Sequence, residues 1–215
     1  MTRPPEHRSL AAYAPGGLAM PEALCAQIRA AYGAPARSYH DNAHLDEVLE
    51  RFGEVAREVG WERPNEVFLA LVFHDVVYEP GAKDNEARSA EVAERAISDH
   101  LAGENIDVAR VKELVLLTAR HGALEEADVD RDAALFCDCD MAILAAPVEA
   151  FAAYDRGIAR EYWSVPAELF AVGRRRFFEG LLAKRSIFLS PWGRARFEAA
   201  ARANLARKLA PEAGG

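Results

Sequence analysis

Cysteine is scarce in this chain, which contains only Cys25, Cys137 and Cys139. So few cysteines at irregular spacing exclude a disulfide framework. Cys137 and Cys139 form a C-x-C sequence instead of the paired C-x-x-C of a zinc ribbon. We expect the three thiols to act as small apolar groups in a reduced protein interior.

Long hydrophobic runs are also missing. No stretch approaches the roughly 20 apolar residues that a membrane-spanning helix requires. Residues 1–20 carry prolines and glycines where a signal peptide needs an apolar run. The chain is therefore predicted to be cytoplasmic and not bound to a membrane.

Basic residues are outnumbered, with 26 against 34 acidic ones, and the formal net charge is -8. A protein with this balance is not expected to bind a nucleic-acid polymer or a membrane surface through bulk charge. The basic residues are nevertheless concentrated from Arg174 onward, where ten of them occur with three acidic residues. This distribution is compatible with a small anionic substrate.

Signals for β-strands are nearly absent, and apolar residues recur at helical spacing along almost the whole chain. Hydrophobic residues make up 51% of the sequence, which is enough for a sizeable core. We therefore predict one all-α domain, with a loose N-terminal arm over 1–20 and a frayed tail over 210–215. Helices are predicted over 21–31, 45–59, 66–78, 84–101, 108–120, 132–144, 148–162, 166–183 and 190–209.

The pair His74-Asp75 lies inside the most apolar predicted helix, 66–78. An unpaired carboxylate buried there would cost several kcal/mol or more. A metal ion would compensate for the burial of both the imidazole and the carboxylate. The alternative is a hydrogen-bonded His and Asp that help to fix the core, and the residues alone leave both interpretations open.

A second pair, His40 and His44, lies in the segment SYHDNAH. Residues four apart project along one row of a helix or of its first turn, and this row continues to Val48 at the border of an apolar face. His44 is therefore expected to point inward. The alternative is a partly exposed capping turn, with Ser38 or Asp41 as the N-cap and no chemical role for the histidines.

Two aspartates interrupt an otherwise apolar predicted helix in the sequence FCDCDMAIL. Asp138 and Asp140 lie ~200° apart around the helix axis, so that only one of them can face a common site. His121 falls at helical spacing on the inner side of the helix predicted over 108–120. For His121, a core histidine satisfied by hydrogen bonds is the alternative.

In chain order these residues form a His, an adjacent His-Asp pair and a distant Asp, and this order resembles the HD-domain superfamily of metal-dependent phosphohydrolases. YHDNAH at 39–44 is similar to the Y-H-N-x-x-H segment of cyclic nucleotide phosphodiesterases, with Asp41 in place of the Asn. Seven further segments look like a small bacterial HD family that is described as predicted metal-dependent phosphohydrolases, and the resemblance covers nearly the whole chain. These segments are ALVFHDVVY at 70–78, DNEARSA at 84–90, LTARH at 117–121, CDMAIL at 139–144, REYWSV at 160–165, GRRRF at 173–177 and ARANL at 201–205.

The resemblance implies a helical HD domain over 1–215 with a metal site. The metal ligands that it implies are His44, His74, Asp75 and Asp140. Asp140 is preferred to Asp138 because it precedes Met141, as the superfamily Asp commonly precedes Leu.

The resemblance also implies roles in catalysis. His40 matches the position that protonates the leaving oxygen in the phosphodiesterases, and Asp75 would orient the nucleophilic water while it holds the metal. Glu86 and His121 look like outer positions around the metal or ligands of a second metal. Candidates for phosphate contacts are Arg37, Arg174 and Arg175, since Arg can bind phosphate through two hydrogen bonds.

The activity implied is hydrolysis of a phosphate ester or anhydride in a small, nucleotide-like molecule, with a divalent ion (Mn, Fe, Co, Ni, Zn or Mg) as cofactor. One alternative is a di-iron HD oxygenase, which needs further histidine ligands between the HD pair and the last Asp. That interval holds only His100 and His121, and His100 is expected to face solvent. A second alternative is a regulatory module that keeps the metal without turnover. The oligomeric state is left open, and a homo-oligomer is one alternative.

Overall fold

Helices account for the regular structure of the computed structural model, which describes residues 7–210. The described residues contain no β-strand, so the prediction of an all-α fold is confirmed. In the same residues no helix is both long and apolar enough to cross a membrane. The described α-helices are α1 (Glu22–Tyr32), α2 (Asn42–Glu58), α3 (Pro64–Phe73), α4 (Asn85–His100), α5 (Val108–Leu117), α6 (Arg131–Met141), α7 (Val148–Glu161), α8 (Ala167–Ala183) and α9 (Pro191–Leu209).

Capping side chains set the start of several helices. Asp41 accepts hydrogen bonds from backbone N–H groups in the first turn of α2, so that it is the N-cap and Ser38 is not. Asp107, Asp130 and Ser190 accept an N–H group of the first turn in α5, α6 and α9. Each cap satisfies a donor that the helix itself leaves unpaired and contributes ~1 kcal/mol.

The contacts of the chain divide it into two compact units, Met1–Ala119 and Arg120–Gly215. In the first unit α3 is the central helix. Every residue from Val67 to Phe73 is buried, and α2, α4 and α5 all pack against this helix. The burial on all sides explains why its sequence is apolar on all sides. The single HD domain over 1–215 stays a prediction.

The N-terminal arm is packed in its described part. Leu10, Leu18 and Met20 are buried, and the short 3-10 helix Leu10–Ala12 packs against α1. These three side chains anchor the described part of the arm, because burial removes their apolar surface from water. The first six residues of the arm, and residues 211–215 of the predicted tail, lie outside the described residues.

The second unit is organised around α6 and α9. Six α6 residues of the stretch 133–139 are buried apolar side chains, and α9 packs against α6 and against the short 3-10 helix that follows it. Asn204 of α9 fixes this arrangement, because its amide donates to the carbonyl oxygens of Leu144 (2.9 Å) and Ala146 (2.8 Å). In the same unit α8 also packs against α9.

Three helices end earlier than their apolar pattern predicts. α3 ends at Phe73 instead of Tyr78, α5 at Leu117 instead of Arg120, and α6 at Met141 instead of Leu144. The residues that follow tighten into a turn after α3 and into 3-10 helices after α5 and α6. The prediction that the His-Asp pair lies inside a helix is therefore wrong, since the pair begins the turn that leaves α3.

Candidate metal centre

The His-Asp pair lies where the central helix of the first unit ends. His74 still has helical backbone angles (φ -54°, ψ -38°), but the last residue of α3 is Phe73. The His74 side chain is 1% exposed, and the Asp75 side chain is 15% exposed. A buried helix thus holds both side chains at its carboxyl end, where the backbone can turn them toward neighbouring helices.

Three side-chain atoms converge at this turn. His44 belongs to the first turn of α2, and its Nε2 lies 3.1 Å from Nε2 of His74. Oδ2 of Asp75 lies 3.1 Å from Nε2 of His74 and 3.7 Å from Nε2 of His44. Within the described part of the chain, no other group of His, Cys, Asp or Glu brings three ligand atoms within 4.8 Å of one another. We call these three residues the His-His-Asp cluster.

The second ring nitrogen of His74 determines which nitrogen carries the proton. Nδ1 lies 2.7 Å from the carbonyl oxygen of Leu71, and because a carbonyl only accepts, Nδ1 must donate. In the neutral ring, Nε2 then directs a lone pair toward both His44 and Asp75. A proton could satisfy only one of these contacts, whereas a cation can bind all three atoms. The donor set therefore fits a metal ion.

The spacing of the cluster also fits a metal ion. Metal–ligand bonds of about 2.1 Å place two ligand atoms roughly 3.0 Å apart at a right angle and roughly 3.4 Å apart at the tetrahedral angle. Both 3.1 Å separations fall in this range, and the 3.7 Å separation corresponds to a wider angle. Two imidazoles and a carboxylate suit Mn, Fe, Co, Ni or Zn better than Ca²⁺, which prefers oxygen ligands alone.

The charge state of Asp75 suits the same role. Burial by itself would raise the pKa of this carboxyl group. When Nε2 of His74 also carries a proton, the charges of His74, His40 and His44 and the hydrogen bond that His74 then donates to Asp75 outweigh burial, so that the pKa of Asp75 falls below its usual range. Asp75 is therefore an anion at neutral pH and can act as a ligand without first losing a proton.

His40 lies beside the cluster but not on α2. The helix begins at Asn42, and His40 precedes the N-cap Asp41, so the prediction that His40 and His44 share one helical row is wrong. The side chain nevertheless approaches the cluster, with Nε2 3.9 Å from Oδ2 of Asp75. Its ring packs against the ring of Tyr78, and the two centroids are 4.2 Å apart.

Arg37 connects the segment that carries His40 to the turn that carries Asp75. Its Nη1 donates to the carbonyl oxygens of His40 (2.8 Å) and Asp75 (2.7 Å), and its Nη2 donates to the carbonyl oxygen of Val76 (3.0 Å). The guanidinium also lies over the ring of Tyr78, 5.6 Å from the centroid. Arg37 thus has a structural role that the sequence did not indicate, and the phosphate contact stays a prediction.

The residues after the His-Asp pair are held by α4. Ser89 accepts from the N–H of Val77 (3.1 Å) and donates to its carbonyl oxygen (3.3 Å). Asn85 makes the same two-way contact with the backbone of Glu79, at 3.0 and 2.9 Å. Glu86 is half-buried in the first turn of α4, and its side chain makes no hydrogen bond or ion pair with another described residue. The role of Glu86 near a metal stays a prediction.

In the second unit, Asp140 faces a histidine. His121 does not continue α5 as predicted but lies in the 3-10 helix Thr118–Ala123, because α5 ends at Leu117. Its Nδ1 lies 3.0 Å from Oδ2 of Asp140, whose side chain is 11% exposed. The structure therefore pairs two of the predicted site residues with each other. The assignment of Asp140 as the fourth ligand stays a prediction.

Asp138, the alternative to Asp140 as a ligand, is hydrogen-bonded to the backbone of its own unit. Its two oxygens accept the N–H groups of Leu189 (2.7 Å) and Ser190 (2.8 Å) just before α9. Burial raises its pKa to about 6, although the hydroxyl of Ser190 and the two N–H groups act in the opposite direction. A Cβ at position 193 would lie 2.2 Å from Oδ2, which explains the glycine there. Asp138 therefore organises the start of α9.

The two predicted phosphate-binding arginines of the second unit have acidic partners. Nε of Arg174 donates to Oδ1 of Asp155 (3.0 Å), and the guanidinium lies 4.4 Å from the ring centroid of Phe178. Arg175 is exposed and pairs with Glu179, one turn further along α8, at 2.8 Å. Both contacts give structural reasons for these arginines, and the phosphate contacts stay predictions.

Comparisons of the chain with protein-family models, with curated proteins and with solved structures find no significant match. Membership of the HD-domain superfamily therefore stays a prediction.

Proposed function

We propose that the chain is a metal-dependent phosphohydrolase that acts on a phosphate ester or anhydride of a small, nucleotide-like molecule. The observation that carries the proposal is the convergence of His44, His74 and Asp75, with two separations of 3.1 Å and one of 3.7 Å. Two nitrogen ligands and one anionic oxygen in a largely buried site are a composition typical of catalytic metal centres, which leave other positions open for water and substrate.

The residues that would hold the ion are the His-His-Asp cluster and, by resemblance, Asp140. A bound divalent ion (Mn, Fe, Co, Ni, Zn or Mg) would lower the pKa of a coordinated water and neutralise charge on the phosphoryl oxygens. The hydrogen bond from His74 to the carbonyl oxygen of Leu71 fixes the ring orientation that this role needs.

Two side chains would carry the proton transfers. Asp75 is an anion, and its carboxylate would accept a hydrogen bond from the attacking water and orient it toward phosphorus. His40, 3.9 Å from that carboxylate, would donate a proton to the leaving oxygen in its protonated form. Packing against Tyr78 would keep the imidazole directed at the site.

A small phosphorylated molecule is the partner that this arrangement suits. The formal net charge of -8 makes a nucleic-acid polymer an unfavourable partner. We propose a cytoplasmic location, because the three cysteines are buried and form no disulfide with one another, as expected in a reducing compartment.

The proposal is tested by metal analysis of the purified protein, followed by a screen of phosphorylated metabolites under nitrogen. We expect release of phosphate, pyrophosphate or a monoester without oxygen, and loss of metal in Asp140→Asn. Activity that requires and consumes oxygen would replace the hydrolase with an oxygenase. Bound metal without any turnover would leave a regulatory module.

A further inference from the structure

Helix α8 leaves an apolar face uncovered. Phe178 and Leu181 are its only buried residues, although the helix spans Ala167–Ala183. Leu169 is 65% exposed and Val172 is 48% exposed. Isolated apolar side chains are normal on a surface, but neighbouring ones on a single helix face indicate a contact surface.

The exposed residues lie on one side of the helix. Leu169, Val172, Gly173 and Arg176 follow the spacing i, i+3, i+4, i+7, which keeps side chains on one face. No atom lies within 4 Å of the position that a Cβ would take at Gly173, so another backbone can approach closely there. We call these four residues, together with Glu168, the α8 face.

The charges on the α8 face of one copy are complementary to those on the same face of a second copy related by a two-fold axis. Glu168 and Arg176 lie four residues before and four residues after Val172, about 6 Å to either side along the axis. When two copies of α8 pack antiparallel and cross at Val172, Glu168 of each copy meets Arg176 of the other. Neither residue has an ion-pair partner among residues 7–210, whereas the adjacent Arg175 is already paired with Glu179.

A second copy of the chain matches this face better than a lipid surface does. Glu168 lies within the α8 face, whereas a surface that binds an anionic bilayer is basic throughout. An isologous contact needs only one self-complementary patch, which the α8 face supplies.

We propose that two copies of the chain associate through antiparallel packing of the α8 face. One helix face buries less than the roughly 800 Å² per partner of a standard interface, so the dimer is weak and concentration-dependent. This inference does not depend on the metal centre.

Sedimentation velocity of the full chain over a wide concentration range tests the proposal. We expect a monomer–dimer equilibrium in the wild type, which Val172→Glu shifts to monomer by at least tenfold in Kd. Val148→Glu is the matched control, because Val148 is 44% exposed but begins α7. It should leave the equilibrium unchanged. Circular dichroism verifies that each variant is folded.

Charge reversal identifies the orientation of the two copies. Glu168→Arg and Arg176→Glu should each weaken the dimer several-fold, since each places like charges at both symmetric contacts. The double variant restores opposite charges and should recover the wild-type Kd. A wild type that is monomeric throughout, a dimer insensitive to Val172→Glu, or a double variant that fails to recover would each overturn the proposal. Binding of the monomer to phosphatidylserine vesicles through this face would also overturn it, in favour of lipid.

Discussion

Replacement of Arg37 by Met should loosen the turn that carries Asp75. The substitution keeps much of the side-chain length but removes all three hydrogen bonds to the carbonyl oxygens of His40, Asp75 and Val76. A hydrogen bond from a charged donor contributes about 1.5–3 kcal/mol when it is buried. These three hydrogen bonds are half-buried, so water can recover part of the free energy of each lost bond. We therefore expect a total loss of about 2–4 kcal/mol in the free energy of unfolding.

The same substitution should weaken the metal site without removing a ligand. Outer groups that orient ligands typically contribute 10–100-fold to metal affinity, and Arg37 holds the backbone of Asp75 directly. We expect a decrease of that size in Arg37→Met. Arg37→Lys should give an intermediate effect, because one ammonium cannot bond all three carbonyls in the planar fork of a guanidinium.

Urea unfolding and chelator competition measure the two effects, and amide hydrogen exchange localises them. Exchange should accelerate at the N–H groups of Asp75 and Val77, which are bonded to Tyr32 and Ser89. Arg57→Met is the control, because Arg57 is exposed near the end of α2. If Arg37→Met is no less stable than this control and binds metal equally well, Arg37 does not hold the turn that carries Asp75.

Three further substitutions test individual side chains. His40→Ala should keep the metal and lower kcat by about 10²–10⁴-fold for substrates with poor leaving groups. The decrease in kcat should be small for a nitrophenyl ester, and an equal decrease for both kinds of substrate would exclude His40 as the general acid. Asp138→Asn should lower the free energy of unfolding by roughly 2–3 kcal/mol in urea titrations, because an amide nitrogen would face a buried N–H donor. If this variant loses its metal instead, Asp138 and not Asp140 is the ligand. Burial would raise the pKa of Asp155, but hydrogen bonds and charges from Lys208 and Arg174 lower this pKa overall. The ionised carboxylate therefore stabilises the fold above the unfolded-state pKa of about 3.9, and this stabilisation is lost as the pH falls below that value. Asp155→Asn should therefore cost about 1.5–3 kcal/mol at pH 7, and urea titrations near pH 3 that show an undiminished difference would contradict this sign.

The positions of the helices follow from the sequence because apolar spacing and local caps act over a few residues. Asp41, Asp107 and Ser190 precede their helices and bond the first turn directly. The early end of α3 could not be found in this way, because VFLALVFHDVVY contains no glycine or proline. The chain leaves the helix where side chains distant in sequence, such as Arg37 and Ser89, bond its backbone.

The candidate site could be predicted only in part. The burial of His44 and His74 follows from the apolar residues around them, and both are buried. The function of Arg37 could not be deduced, because its acceptors are carbonyl oxygens, two of them 38 and 39 residues away, that no side chain identifies. Sequence patterns indicate which side chains face the core, but not which backbone groups a long side chain will reach.

The metal content of His74→Ala shows whether the His-His-Asp cluster binds a metal ion. We expect about one divalent ion per wild-type chain and at least a tenfold loss in His74→Ala, because Nε2 of His74 lies 3.1 Å from both other members of the His-His-Asp cluster. His100→Ala, at the end of α4, removes a histidine outside the cluster and should keep the full metal content. A stoichiometric metal ion in His74→Ala would mean that the His-His-Asp cluster does not hold the ion.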